Sequence, residues 1–147
     1  MSRVNNPMLQ IIDANLNRTR EGMRVCEDIS RFILSDKFIS RSLKNIRHAA
    51  TKALLHSEKL SLKKLVQTRD IKNDALKFVD FNKHKGSDVS DVFMSNIERV
   101  KESLRVLEEC CKIIDKTASR KYRSLRFNAY SIEKRAIEKI RAIPCNR

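Results

Sequence analysis

An asparagine followed at intervals of three by arginine, glutamate and arginine occurs twice in this chain. In IDANLNRTREGMRVCED, residues 12–28, the series is Asn15, Arg18, Glu21 and Arg24. In SNIERVKESLRVLEE, residues 95–109, it is Asn96, Arg99, Glu102 and Arg105. Guanidinium groups are planar forks of donors that match carboxylate or phosphate bidentately, so convergent arginines suit an anionic ligand. Other chemistries find no support. There is no G-x-x-x-x-G-K-[ST] or G-x-G-x-x-G segment, which excludes a P-loop and a dinucleotide fingerprint. Any phosphate must be held by side chains or helix N-termini. His48, His56 and His84 form no ligand cluster, and nothing suggests a Ser-His-Asp or Cys-His nucleophile. Cys26, Cys110, Cys111 and Cys145 lack zinc spacing and a disulfide framework, and read as reduced thiols.

Helices must carry these residues. Two glycines and two prolines in 147 residues are too few for the turns of a sheet protein, so the chain is expected to be all-α. Pro7 suits the first turn of a helix reaching about residue 34. Ser35-Asp36 can cap a second helix to about residue 56, and a short third can follow Ser61. Residues 68–88 read as a mostly charged loop, a candidate lid. A fourth helix is expected over about 89–115 and a fifth from about 117 to 143, stopping near Pro144.

The halves repeat. Asn15, Arg18, Glu21, Arg24, Val25 and Glu27 recur 81 residues on as Asn96, Arg99, Glu102, Arg105, Val106 and Glu108. Ser40, Arg41, Lys44, Ile46 and Arg47 recur 79 residues on as Ser119, Arg120, Arg123, Leu125 and Arg126. The expected architecture is one helical domain over 1–147, built as a bundle of two pseudo-symmetric helix hairpins. The repeats cover about 8–58 and 89–143, and a charged loop within the connecting segment 59–88 joins them.

On a helical wheel Ile12, Leu16, Met23, Cys26 and Ile33 share an apolar sector, with Asp13, Asn17, Arg24, Asp28 and Arg31 opposite as a solvated face. Asn15 falls inside the apolar sector and Arg18 flanks it. Asn96, Arg99 and Ser103 lie among Leu104, Leu107, Cys110 and Ile114. Arg47 projects with Leu43, Ile46 and Ala50, and Arg126 with Tyr122, Leu125 and Ala129. Each half is therefore expected to aim an asparagine and two arginines inward. An unpaired buried guanidinium is very costly. These arginines need either structural carboxylates such as Glu21, Glu102 or Glu133, or an anionic ligand, and the residues alone leave both open. The Glu21–Arg24–Asp28 and Glu102–Arg105–Glu109 rows also suit surface ion-pair ladders.

The formal net charge of +14 favours polyanions without choosing among nucleic acid, phosphorylated metabolites and anionic membrane. Aromatic residues are few, which argues against base-stacking platforms. No stretch of about 18 apolar residues is present to span a membrane, and MSRVNNPMLQ lacks the apolar run of a signal peptide. The reading is cytoplasmic.

The segments IIDANLNRTREGMRVCEDISRF, KNIRHAATK, SNIERVKESLRVLEE and SLRFNAYSIEK resemble a small helical family of thiamine biosynthesis. Its members occur alone or fused to the N-terminus of thiamine phosphate synthase. The resemblance covers almost the whole chain. It implies a hydroxymethylpyrimidine phosphate kinase, which transfers a phosphoryl group from ATP to 4-amino-5-hydroxymethyl-2-methylpyrimidine phosphate with Mg²⁺. The family's R-D-x-x-G-D-V-G-like segment corresponds here to Arg69-Asp70-Ile71-Lys72-Asn73-Asp74-Ala75-Leu76. Arg69, Asp70 and Asp74 are kept, and both glycines are replaced.

With the resemblance, Arg18, Arg69, Asp70 and Arg99 become the candidate catalytic residues. Asn15, Glu21, Arg24, Arg47, Asn96, Glu102, Arg105 and Arg126 become candidates for substrate and phosphate binding, and Asp70 and Asp74 for the metal. Asn15 or Asn96 could read the aminopyrimidine, whose donors and acceptors suit an amide. Two alternatives stand beside this reading. One is a basic helical nucleic-acid-binding module, whose affinity would fall steeply with salt. The other is a non-catalytic partner of thiamine phosphate synthase.

Overall fold

The computed structural model describes residues 6–74 and 88–143, and five helices account for most of them: α1 (Pro7–Phe32), α2 (Lys37–Leu55), α3 (Leu62–Gln67), α4 (Val89–Ile114) and α5 (Lys116–Arg141). No strand occurs among the described residues. The expected lid lies partly outside them, since 75–87 are not described. Gly86, His84, Pro144 and Cys145 lie outside them as well.

Local chemistry explains the boundaries. The Asn6 side chain accepts from the Met8 and Leu9 amides at 3.1 and 3.3 Å, and Pro7 fills N1, where a missing N–H costs nothing. α1 stops at Phe32, two residues earlier than expected, because the chain turns sharply. Ser35 takes a φ of 51°, and the Asp36 amide donates back to the Ser30 carbonyl at 3.0 Å. The α4–α5 connection is the single residue Asp115, which ends α4 and caps α5 through bonds from the Thr117 and Ala118 amides. The turn has four residues in one hairpin and one in the other, a shortening in the same direction as the change of offset from 81 to 79.

Asp36 caps α2 by accepting from the Ile39 amide at 2.9 Å, and it also binds Lys139 at the end of α5. The Lys139 hydrogen bond, helped by the helix amides, holds its carboxyl below the ordinary 3.8. A depressed folded-state value means the stabilisation is complete above the unfolded pKa and is lost as pH falls through the folded one. Asp36→Ala should therefore cost about 1–2 kcal/mol at pH 7. In urea titrations the gap from wild type should close below pH 3.8.

The four long helices form an antiparallel bundle in which α1 packs on α2 and α4, and α5 closes the ring against α4 and α2. Direction follows from contacts. Glu27 meets Arg47 across α1 and α2, and Glu108 meets Arg126 across α4 and α5. Cys26 lies on Phe93 and Thr19 on Ser103 across α1 and α4, while the Tyr122 hydroxyl donates to the Ala50 carbonyl at 2.8 Å across α5 and α2. Ile12, Leu16, Met23, Leu43, Ile97, Leu104, Leu107 and Tyr122 fill the centre. Burial pushes the Cys26 and Cys111 thiols up to about 12, so both behave as inert core groups at neutral pH.

The α1–α4 crossing is tight. The two helices meet at Gly22, where a Cβ would stand 2.8 Å from the Val100 Cγ2 and 2.9 Å from the Asn96 carbonyl oxygen. Beside it the Thr19 and Ser103 hydroxyls lie 2.7 Å apart, both buried.

Two expectations change here. Asp13, placed on the solvated face of α1, is buried at 6 % exposure, because α3 packs over that face and brings Arg69 onto it. Ile33, placed in the core, is the C-cap residue and half exposed. No helix among the described residues is long and apolar enough to cross a membrane.

Candidate functional site

Each hairpin carries a buried glutamate gripped by two arginines. On α1, Glu27 points across to α2, where the Arg47 Nε donates to its Oε2 at 2.9 Å. Arg24, one turn earlier on α1, lies 3.6 Å from Glu27 and 3.7 Å from Asp28. The second hairpin has the same arrangement. Arg126 meets the Glu108 Oε2 through Nε at 3.1 Å and Nη2 at 3.0 Å. Arg105 lies 3.7 Å from Glu108 and 3.0 Å from Glu109. Spacings of three and four put Arg24 and Arg105 directly over their carboxylates. The glutamates expose 9 % and 4 % of their side chains, and Arg47 and Arg126 15 % and 12 %, whereas Arg24 and Arg105 face solvent.

Over each triplet lies an open groove. The α1/α2 groove, about 360 Å³, is lined by Asn17, Arg20, Glu21, Arg24 and Arg47. The α4/α5 groove, about 470 Å³, is lined by Glu98, Lys101, Glu102, Arg105, Arg126 and Tyr130. Five lining positions correspond, Asn17 with Glu98, Arg20 with Lys101, Glu21 with Glu102 and Arg24 with Arg105 at 81, and Arg47 with Arg126 at 79, while Tyr130 has no counterpart in the first groove.

The grooves differ in charge. Lys101 is held by Glu98 and by Glu133 at 2.9 Å, and its Nζ lies 5.2 Å from the Tyr130 ring centre. Burial opposes the Lys101 charge, but the bonds to Glu98 and Glu133 outweigh it and raise its pKa. The Arg126 guanidinium behaves alike: burial works against it, and hydrogen bonds to Tyr130 and Glu108 hold it above its ordinary value. Arg20, the counterpart of Lys101, is exposed and has no carboxylate within salt-bridge distance among the described residues.

The anticipated site residues fall into three places. Glu21, Arg24 and Arg47 line one groove, and Glu102, Arg105 and Arg126 the other. Asn15, Arg18, Asn96 and Arg99 follow the α1–α4 seam between the grooves. Asn15 is buried, with its amide donating to the Ile11 carbonyl at 2.8 Å and its Oδ1 accepting from the Arg18 Nη1 at 3.4 Å. Asn96 donates to the Val92 carbonyl at 2.8 Å and is only half-buried. Arg18 and Arg99 do not point inward as expected. Both are exposed, and Arg99 reaches over the seam to within 3.6 Å of Glu21. The small residues Thr19, Gly22 and Ser103 make the interhelical contact, so the arginines beside them pass outside it.

Arg69, Asp70 and Asp74 form the third place, beyond α3, and line neither groove. Arg69 makes a bidentate pair with Asp13, Nη2 to Oδ1 at 2.9 Å, and that hydrogen bond raises its pKa. Asp70 accepts from the Asn73 amide at 3.2 Å and from the Asn73 side chain at 2.7 Å. Among the described residues no three His, Cys, Asp or Glu side chains gather where they could hold a metal.

Sequence reasoning did not single out Glu27, Glu108, Asp13 or Lys101 as site residues. A signal existed for the first two. They belong to the repeated series and stand three residues after Arg24 and Arg105.

The ThiD2 family matches residues 10–135. The chain is 34% identical over 125 residues to a thiamine-phosphate synthase of Synechocystis sp., covering 84% of this chain and 34% of that protein. It is 36% identical over 124 residues to a thiamine-phosphate synthase of Prochlorococcus marinus, again covering 84% and 34%. A thiamine-phosphate synthase of Rhodopirellula baltica is 32% identical over 125 residues, covering 84% of this chain and 32% of the relative. The chain thus spans about a third of the length of the curated relatives it matches. No solved structure gives a significant match. With most of its length accounted for by one family and its similarity running to thiamine-phosphate synthases, the chain belongs to the ThiD2 family.

Proposed function

We propose that this chain acts in thiamine biosynthesis as a phosphotransferase, using ATP and Mg²⁺ to convert 4-amino-5-hydroxymethyl-2-methylpyrimidine phosphate to its diphosphate. The two hairpins, in this reading, are copies of one ancestral unit. The observation that carries the proposal is the pair of corresponding arginine-lined grooves over Arg24–Glu27–Arg47 and Arg105–Glu108–Arg126, in a chain of this family.

The acceptor is a phosphate monoester, anionic at neutral pH, and needs no general base to become a nucleophile. In the step one of its oxygens bonds to the γ-phosphorus of ATP, the bond from that phosphorus to the β,γ-bridging oxygen breaks, and ADP leaves. Positioning and charge neutralisation carry most of such a transfer. The buried glutamates keep Arg47 and Arg126 rigid, so their remaining N–H groups need little reorganisation when a phosphate arrives. Arg18 and Arg99, exposed between the grooves, would exchange their long contacts to Asn15 and Glu21, 3.4 and 3.6 Å, for ligand oxygens. Asn15 and Asn96 lie one turn before them, their amides bonded to carbonyls of their own helices. In this reading Asp70 and Asp74 would hold Mg²⁺ together with phosphate oxygens and water, a ligand set that suits the ion. When bound, the ion would neutralise charge on the transferring phosphoryl group.

Arg18→Ala and Arg99→Ala should each lower turnover about a hundredfold or more, the scale of losing one donor to transition-state charge. Their helical circular dichroism should stay that of wild type. ADP release that depends on the pyrimidine phosphate is the readout, and full activity in both variants would remove these residues from the site.

One observation favours a second reading, that of a non-catalytic partner of thiamine-phosphate synthase. Asn73 occupies a position where the family pattern has glycine, and it caps both oxygens of Asp70. Thermal stabilisation by the pyrimidine phosphate with no ADP release would support this reading against the kinase.

A further inference from the structure

We infer that the two corresponding grooves are inequivalent, and that the α1/α2 groove is the stronger phosphate site. The inference rests on the reading of the protein as a phosphotransferase and assigns the phosphate-bearing group to one hairpin.

The argument compares matched positions. The α1/α2 groove sets three guanidinium groups, Arg20, Arg24 and Arg47, against one lining carboxylate, Glu21. Glu21 itself turns toward Arg99 of α4, 3.6 Å away. The α4/α5 groove sets three cations against two lining carboxylates, Glu98 and Glu102. A third carboxylate, Glu133, binds its lysine. Asn17, neutral, stands where Glu98 stands in the other groove, and Leu54 stands 79 residues before Glu133, so the α1/α2 hairpin lacks both acids that hold Lys101.

These differences decide what each groove can take. Lys101 is 12 % exposed and already has two carboxylate partners, so a phosphate would have to displace one. Arg20 is exposed, and its guanidinium has no competing acid among the described residues. Arg47 is fixed by Glu27 at the groove floor, and Arg24 leans over the same carboxylate from the rim. A phosphate entering here meets one uncommitted fork and two partly committed ones, with a neutral amide at Asn17. Arginine forks suit phosphate oxygens better than a single point charge does.

The test is calorimetry on the whole chain with two probes, inorganic tripolyphosphate for a nucleotide tail and the pyrimidine monophosphate for the acceptor. Arg20→Gln should weaken binding of at least one probe about tenfold or more, while Lys101→Gln changes it less than about threefold. Loss confined to tripolyphosphate assigns the groove to the donor, and loss confined to the monophosphate assigns it to the acceptor. Equal binding by wild type and Arg20→Gln, an equal loss in Lys101→Gln, or no binding of either probe by wild type overturns the inference. Arg20-dependent binding without turnover in wild type would overturn the kinase reading and leave this inference standing. Turnover with unchanged phosphate binding in Arg20→Gln would do the reverse.

Discussion

Glu27→Ala is expected to lower the unfolding free energy by about 3 kcal/mol, more than any other single replacement of a charged residue in the first hairpin. Arg47 is 15 % exposed and Glu27 9 %, with 2.9 Å between Nε and Oε2, so removing the carboxylate strands a guanidinium between α1 and α2. Arg24, at 3.6 Å and half exposed, can turn to water when Glu27 is gone. Arg47 cannot. Replacing both partners by apolar residues of similar volume, Glu27→Leu with Arg47→Met, removes the stranded charge and should return most of the loss, since well-packed apolar pairs often match buried ion pairs. Urea unfolding of the single and double variants decides the matter. A loss under about 1 kcal/mol in Glu27→Ala would mean that the pair behaves as a surface bridge.

Gly22→Ala should destabilise by about 2 kcal/mol, the scale of overpacking a tight core. Helix propensity taken alone predicts the opposite sign, a gain of about 1 kcal/mol from removing glycine inside a helix. The new Cβ would lie 2.8 Å from the Val100 Cγ2 and 2.9 Å from the Asn96 carbonyl oxygen. The valine methyl can move, but the carbonyl belongs to the α4 backbone and cannot move without shifting the helix. Adding Val100→Ala relieves the first contact only, so it should rescue part of the midpoint in thermal unfolding and not all of it. A Gly22→Ala protein more stable than wild type would show that α1 and α4 cross with more room than this.

The helices were legible because their signals are local. Pro7 opens α1, Asp36 caps α2 and α3 follows Ser61, as expected, and the long amphipathic periods gave α1, α2, α4 and α5 to within about two residues. What was not legible depends on contacts between distant segments. A wheel divides α1 into two faces, yet α1 packs on α2, α3 and α4 at once. Asp13 therefore looked solvated until α3 brought Arg69 to it, and Arg18 looked inward until Gly22 and Thr19 proved to be the contact line. Arg47 and Arg126 were read correctly as inward-facing, but their partners were sought at Glu21, Glu102 and Glu133 rather than at Glu27 and Glu108. Helical spacing gives the direction of one side chain and says nothing about the register of the facing helix. The repeat carried the missing information, since Glu27 and Glu108 recur with Arg24 and Arg105.

The central claim is that the arginine-lined grooves serve the transfer of a phosphoryl group to a phosphorylated pyrimidine. Phosphorus NMR of the purified chain with ATP, Mg²⁺ and 4-amino-5-hydroxymethyl-2-methylpyrimidine phosphate tests it most directly. The account predicts that the monoester resonance gives way to the two coupled resonances of the pyrimidine diphosphate, with one ADP formed for each. A folded protein that leaves the monoester resonance intact at saturating substrates would contradict it.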